Sequence, residues 1–362
     1  MGDSMDNLTT QHPLLRLTTN GTATAEETFR AIAPINTLLA FAIIMQNSLV
    51  VFHYFPDRQK LITRIFILIA CADLVQAVGT MINGGVEFYC YLDTHNTLPS
   101  PFLELHFYIG LLGWAWSDYY NVLLTVLKSL TLANPFESFS KRGVTAAVWI
   151  GSLFWLAVAI ADVVVVETTR SRLGPGCSGF WSSTTEDLDY FELGQFALDE
   201  ILDFLDLTAF FVIRNIPFIV ANVIPCVITL ICIPIQIFHV KRSLRASSAS
   251  NFSRESDHVS VTILLVSLLY VLCNSPLALL IFVELASDFD CVWKPESPGC
   301  SVYVELRILA ASTLPLLNAA GFPLIMILRK RSLRERYKDY ILAPVRALRR
   351  VRSRWQGYQE VE

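Results

Sequence analysis

The chain is poor in charge. Only 17% of its 362 residues are Asp, Glu, Lys or Arg, against 53% hydrophobic, whereas a soluble domain carries roughly a quarter charged residues. A water-facing surface has little to draw on, and a mean hydropathy of +0.48 points to lipid as the solvent. Histidine is scarce, with six in all, and no pair has metal-ligand spacing. No Gly-rich loop suits a phosphate, and no Ser-His-Asp grouping suggests a nucleophile. The expectation is a non-enzyme with no cofactor, no metal centre and no nucleic-acid partner. Residues 1–28 are polar and Thr-rich and lack the apolar core of a secretory signal. The opening Met1-Gly2 is not a myristoylation start, because Asp6 stands where Ser or Thr is needed. No internal repeat is visible, which argues against a transporter built from duplicated halves.

What is present is a set of seven apolar stretches, at 31–54, 63–84, 104–127, 145–166, 212–239, 260–284 and 303–328. Crossing a hydrocarbon core of about 30 Å takes roughly 20 helical residues, and backbone amides in lipid must be satisfied within their own segment. The expected fold is therefore an all-α membrane protein, a seven-transmembrane helix bundle. An outer tail over 1–28 precedes a bundle over 29–328 and a basic tail over 329–362.

Basic residues set the orientation. Arg58, Lys60 and Arg64 follow the first stretch, Lys141 and Arg142 the third, and Lys241, Arg242, Arg245 and Arg254 the fifth. Eleven more lie between Arg329 and Arg354, and the connection between the second and third stretches has none. The carboxyl terminus is expected in the cytoplasm and the amino terminus outside, in a multi-pass protein of the plasma membrane. Sequons at Asn7 and Asn20 fall on the outer side and are candidate glycosylation sites; that at Asn251 falls inside and should stay bare. Cys71, Cys226, Cys232 and Cys273 lie within apolar stretches and read as packing thiols. Cys90, Cys177, Cys291 and Cys300 lie on the outer side, where oxidation is allowed. Four cysteines permit three pairings. The shared short loop of Cys291 and Cys300 favours their union, leaving Cys90 for Cys177.

Three carboxylates interrupt the apolar stretches: Asp73, Asp118 and Asp162. A charge at the centre of a membrane helix costs about 2.5–3.5 kcal/mol on insertion scales, so each should face the bundle interior or water. Asp162 is near the outer boundary and within reach of headgroups. Asp118 is deeper, with the Tyr119 and Tyr120 hydroxyls next to it in sequence. Asp73 is central and has no basic neighbour, which makes it the best candidate for a polar network.

Around Asp73, Ile69-Ala70-Cys71-Ala72-Asp73-Leu74 resembles the Leu-Ala-x-Ala-Asp-Leu of rhodopsin-like (class A) G-protein-coupled receptors. Gln46-Asn47-Ser48-Leu49-Val50 is similar to their Gly-Asn-x-x-Val. Trp149 and Pro225 stand where that family has a Trp in helix four and a Pro in helix five, and Cys273-Asn274-Ser275-Pro276 resembles its Cys-Trp-x-Pro. Leu317 to Met326 looks like the stretch ending in Asn-Pro-x-x-Tyr, and Leu127-Lys128-Ser129 takes the place of Asp-Arg-Tyr. The resemblance covers roughly residues 30–345, with the motifs in order along the chain.

The resemblance implies a receptor that passes ligand binding to a heterotrimeric G protein. It implies a buried cluster of Asp73, Asn47, Ser117 and Asn318, a place where the family can hold a sodium ion. It also implies switch and G-protein-contact positions at Lys128, Asn274, Pro276, Phe322, Pro323 and Met326, with Pro276 as the bend of helix six. The departures fall largely on this machinery. Lys128 replaces an Arg and lacks its planar fork. Phe322 replaces an oxygen ligand, Asn274 a Trp, and Ile233 and Met326 stand in for tyrosines.

Gly110, where amine receptors keep an Asp, argues against an amine ligand, and the seventh stretch has no Lys for retinal. The segment from Glu186 to Asp206 holds eight acids and no base, with Phe196, Leu198, Ile201, Leu202 and Leu205 at helical spacing. Such a rim attracts cations, so the expected extracellular ligand is a basic or amidated peptide. In the tail, Leu333, Tyr337, Tyr340, Ile341, Leu348 and Val351 recur among bases. They predict a short amphipathic helix after the seventh span, lying on anionic membrane lipid. Two other readings stand beside the receptor: a receptor-like protein that does not couple to G proteins, and a small transporter or channel using Asp73 and Asp118 along a polar path.

Overall fold

The computed structural model describes the backbone of residues 13–92, 100–133, 140–170, 222–247, 254–286, 300–339 and 342, with side chains over part of these, from Ala31 onward. Helices account for nearly all of the described residues, and there is no strand among them. Helix α1 spans Pro13–Tyr54, α2 Leu61–Leu92, α3 Ser100–Ala133, α4 Lys141–Arg170, α5 Ile224–Ser247, α6 Arg254–Ala286 and α7 Cys300–Arg329. A short helix, α8, follows at 331–339. Five of these helices are long and apolar enough to cross a membrane, over Ala31–Asp57, Leu61–Gly85, Ile224–Arg242, Val259–Val283 and Glu305–Arg329. The third and fourth apolar stretches also form helices, of 34 and 30 residues.

Helix α1 starts well before the first apolar stretch, at Pro13. The polar segment expected as a tail thus continues the helix, consistent with its Ala25-Glu26-Glu27 helix formers. Proline is well placed at position 13, where a missing N–H costs nothing. Asn7 and the acidic segment 186–206 lie outside the described residues. So do Cys177 and Cys291, and the side chains of Asn20, Cys90, Asp162 and Cys300.

The helices close on themselves. Helix α1 packs on α2 and α7, α2 on α3, α3 on α5 and α6, α5 on α6, and α6 on α7, while α4 lies against α3. Helix α3 thus touches four neighbours and forms the axis. Around that axis, polarity is reversed from that of a water-soluble bundle. Phe52, Leu38, Leu272 and Ile150 are each about 70% exposed, whereas Asn47, Asp73, Thr229, Ser267 and Asn274 are fully buried. Lipid is the solvent that rewards this arrangement.

At the end of the bundle where α1, α2 and α7 meet, the core is apolar. Val50, Tyr54, Ile65, Phe66, Ile69, Leu124, Ile263, Phe322 and Met326 pack together, and the Phe66 ring lies 6.0 Å from both Tyr54 and Phe322. Leu333 of α8 is fully buried in the same core. Gln46 Nε2 donates to Tyr337 Oη at 3.5 Å, and Lys330 Nζ sits 4.4 Å above the Tyr54 ring. Tyr340, Ile341, Leu348 and Val351 of the expected amphipathic segment lie outside the described residues, and its first part is the helix at 331–339. It docks through Leu333 and Tyr337 and leaves Arg331, Arg334, Arg336 and Lys338 exposed.

Candidate functional site

The interior of the bundle is organised by a polar stripe on α3. Ser117, Asn121, Thr125 and Ser129 recur every fourth residue, so they share one face, and all four are buried. Each later member donates back along the helix: Asn121 to Ser117 O (2.9 Å), Thr125 to Asn121 O (2.8 Å) and Ser129 to Thr125 O (2.8 Å). One turn before Ser117, Gly113 lies directly on the backbone of α2 at Ala72 and Gln76, where a Cβ would collide. This close approach brings Ser117 Oγ to 2.6 Å from Asp73 Oδ1, to which it donates. Asp73 is completely buried, and its Oδ2 accepts no hydrogen bond.

The rest of the expected cluster is distributed differently. Asn47 Nδ2 donates to two carbonyls, Ile43 O in its own helix and Ala319 O in α7, both at 3.2 Å. Asn47 thus ties α1 to α7 rather than to Asp73. A second α1–α7 bond runs from Thr313 Oγ1 to Asn36 Oδ1 at 3.0 Å. Asn318 is buried at 3% exposure, but no hydrogen bond joins it to Asp73. Asn121, which no family motif marks, sits in the cluster instead, with Nδ2 3.4 Å from Ser117 Oγ. A sodium ion wants a shell of several oxygens, as hard cations do. Of the four expected residues only Asp73 and Ser117 are bonded to each other, while Asp73 Oδ2 and Asn47 Oδ1 are buried oxygens without a hydrogen-bond partner among the described residues.

On its opposite flank α3 is bonded to α5 and α6. Thr125 Oγ1 and Ser267 Oγ are 2.8 Å apart. Gln236 Nε2 donates to Thr125 O and to Ser129 Oγ, both at 3.2 Å. Nearer the other end, Asn222 Nδ2 donates to Asn274 Oδ1 at 3.2 Å, and Asn274 Nδ2 to Tyr270 O at 3.1 Å. Asn274 therefore clamps α6 to the turn that leads into α5.

Asp118 stands between these bonds. It is 1% exposed, yet neither carboxylate oxygen accepts a hydrogen bond from the described residues. Trp114 and Tyr270 face it without reaching hydrogen-bond geometry, and their own Nε1 and Oη also lack partners. The adjacent tyrosines do not serve it. Tyr119 Oη donates to Ala147 O at 2.7 Å and Tyr120 Oη meets Ser152 Oγ at 2.7 Å, so both turn to α4. Residues one and two positions along a helix point about 100° and 200° away, whereas Trp114, four positions back, shares the face of Asp118.

The other positions expected as switches are mostly packed. Phe322 and Met326 are buried in the apolar core and Ile233 is buried on α5. Lys128 is 9% exposed near the end of α3. Pro276 lies inside α6 and Pro323 inside α7. One assignment of the cysteines is corrected: Cys226, Cys232 and Cys273 are buried thiols, but Cys71 is exposed on the outer face of α2.

No protein-family model matches the chain, and no curated protein matches it either.

Proposed function

We propose that the chain is a divergent receptor of the rhodopsin-like type, seated in the plasma membrane with its amino terminus outside. In this reading α3 and α4 span the membrane as the other five helices do, and the apolar run at 212–239 completes the fifth span. The observation that carries the proposal is the closed ring of helices around α3, with the Asp73–Ser117 bond between α2 and α3 at its centre. Basic residues concentrated at the α1–α2, α3–α4 and α5–α6 connections and in the tail support a cytoplasmic carboxyl terminus. The outer cysteines Cys90, Cys177, Cys291 and Cys300 would be oxidised there and the Asn7 and Asn20 sequons glycosylated. The acidic run from Glu186 to Asp206 supports a basic or amidated peptide ligand.

The ligand acts by preferring one arrangement of the helices. Helix α6 carries Pro276, which removes a backbone hydrogen bond and supplies a bend. It is tied to α3 by the Thr125–Ser267 contact and to the turn that leads into α5 by the Asn222–Asn274 bond, each worth about 1 kcal/mol net. A differential affinity of a few kcal/mol redistributes such a pair of states and opens a cleft for a heterotrimeric G protein. Screening a peptide library in cells that express the chain, with G-protein activation as readout, tests this. Activation that disappears in Asn274→Leu supports it. Silence across every G-protein class, with the chain at the cell surface, counts against it.

A second reading is favoured by one specific observation. Phe322, Met326 and Ile233 are apolar and buried where polar groups serve signalling in the resembled family. This supports a receptor-shaped partner that binds outside without coupling inside. If Lys128→Arg combined with Met326→Tyr gains no G-protein activation in the presence of a bound ligand, this second reading replaces the first.

A further inference from the structure

The turn between α1 and α2 carries a groove that the receptor reading does not use. It has a volume of about 400 Å³ and is lined by Phe55, Arg58, Gln59, Arg64, Ile67 and Leu68. The two guanidinium groups are held in place by neutral partners. Arg58 Nη1 donates to Phe55 O at 3.2 Å, and its Cζ lies 4.5 Å from the centre of the Phe55 ring. Arg64 Nη1 reaches across to α4 and donates to Thr145 Oγ1 at 3.3 Å. The acid of this turn is already engaged, since Asp57 Oδ1 lies 3.4 Å from Lys60 Nζ. Neither arginine meets a carboxylate among the described residues, so two oriented positive charges share one groove.

The position of the groove decides what those charges suit. The apolar run that begins in α1 ends at Asp57, just past that helix, and that of α2 begins at Leu61, so Arg58 and Arg64 straddle the level where a bilayer gives way to water. Arg64 is one turn inside the apolar stretch, with an exposed side chain; such a residue turns its head toward the interface. One turn deeper, Ile67 and Leu68 provide apolar wall on the same groove. A soluble anion would use the guanidinium groups but gain nothing from that wall. An anionic phospholipid uses both, its phosphate between the arginines, which match phosphate oxygens in pairs, and its acyl chain along Ile67 and Leu68.

We propose that this groove is a binding site for an anionic glycerophospholipid, with Arg58 and Arg64 holding the phosphate. The site requires only that the bilayer boundary lie at the Asp57–Leu61 turn, so it stands or falls separately from receptor activity. The test is native mass spectrometry of the purified full chain, released from bilayers of phosphatidylcholine mixed with phosphatidylglycerol. Wild type should retain phosphatidylglycerol in preference. Arg58→Gln/Arg64→Gln should lower that preference roughly thirtyfold, given about 1 kcal/mol for each basic residue at a charged membrane surface. The paired change Lys241→Gln/Arg242→Gln, exposed near the end of α5, should leave it in place. Equal retention of both lipids by wild type overturns the site, as does an unaltered preference in the α1–α2 variant. Loss in the α5 variant alone assigns the anionic contact to that helix and also overturns it. Complete displacement by inorganic phosphate would show that the apolar wall contributes nothing, and the lipid site would be rejected on that ground too. If the double variant does not purify, Thr145→Val releases Arg64 while keeping both charges. It should weaken retention, and no change would again reject the site.

Discussion

Asp73 and Asp118 are both enclosed within the bundle, and they differ in how they are served. Asp73 receives the Ser117 hydroxyl because Gly113 lets α2 and α3 touch backbone to backbone. Asp118, the next residue along α3 after Ser117, looks toward α5 and α6, where Trp114 and Tyr270 stand back from it. The α2 flank of α3 is therefore a closed contact. The α5–α6 flank is bonded above and below Asp118 but open at the carboxylate itself. In a helical bundle that changes shape, the first flank is suited to stay fixed and the second to move.

The largest effect should come from forcing the closed flank apart. Gly113→Leu places a side chain into the α2 backbone, and overpacking of this kind costs about 1–3 kcal/mol or more. Thermal unfolding in detergent should show a sharply lowered midpoint or no folded protein. A midpoint equal to wild type would mean that α2 and α3 are not in contact there. Next in size is Asp118→Leu, which replaces a buried carboxyl that has no bonded partner with an apolar side chain of similar volume. Stability should rise by about 1–3 kcal/mol, and a loss of stability would show that the open flank is in fact satisfied. Ser117→Ala should cost about 1 kcal/mol, the net worth of one buried hydrogen bond, and the loss should vanish when Asp73→Ala is already present. Smallest is Tyr270→Phe, which deletes a hydroxyl that makes no bond. A change within about 0.5 kcal/mol is expected, and a cost near that of Ser117→Ala would make the two flanks alike.

Much of this architecture is legible from residue order. Six of the seven apolar stretches fall on helices, as does the described part of the fifth from 222 onward, because a segment in lipid must satisfy its own backbone. Asp73 and Ser117 meet, and both stand in sequence contexts that resemble a known pairing. Asn47 and Asn318 depart from that pattern. Contact across α1 and α7 depends on the rotation of each helix about its axis, and no spacing within one helix reports it. The surroundings of Asp118 are obscured for a simpler reason: its sequence neighbours Tyr119 and Tyr120 are not its spatial ones, whereas Trp114 at the helical spacing is. The same spacing rule, applied to Ser117, exposes Asn121, Thr125 and Ser129 at once. Cys71 shows the converse limit. Its motif position says that it lies on a buried helix, but not on which side.

That outward side has a practical consequence. Cys71 is two positions from Asp73 in the chain, and the other three described cysteines are enclosed. A membrane-permeant thiol reagent would thus mark α2 near its middle while sparing the interior. With the thiols outside the bundle blocked first by an impermeant reagent, a spectroscopic probe attached at Cys71 could follow tilting of this helix.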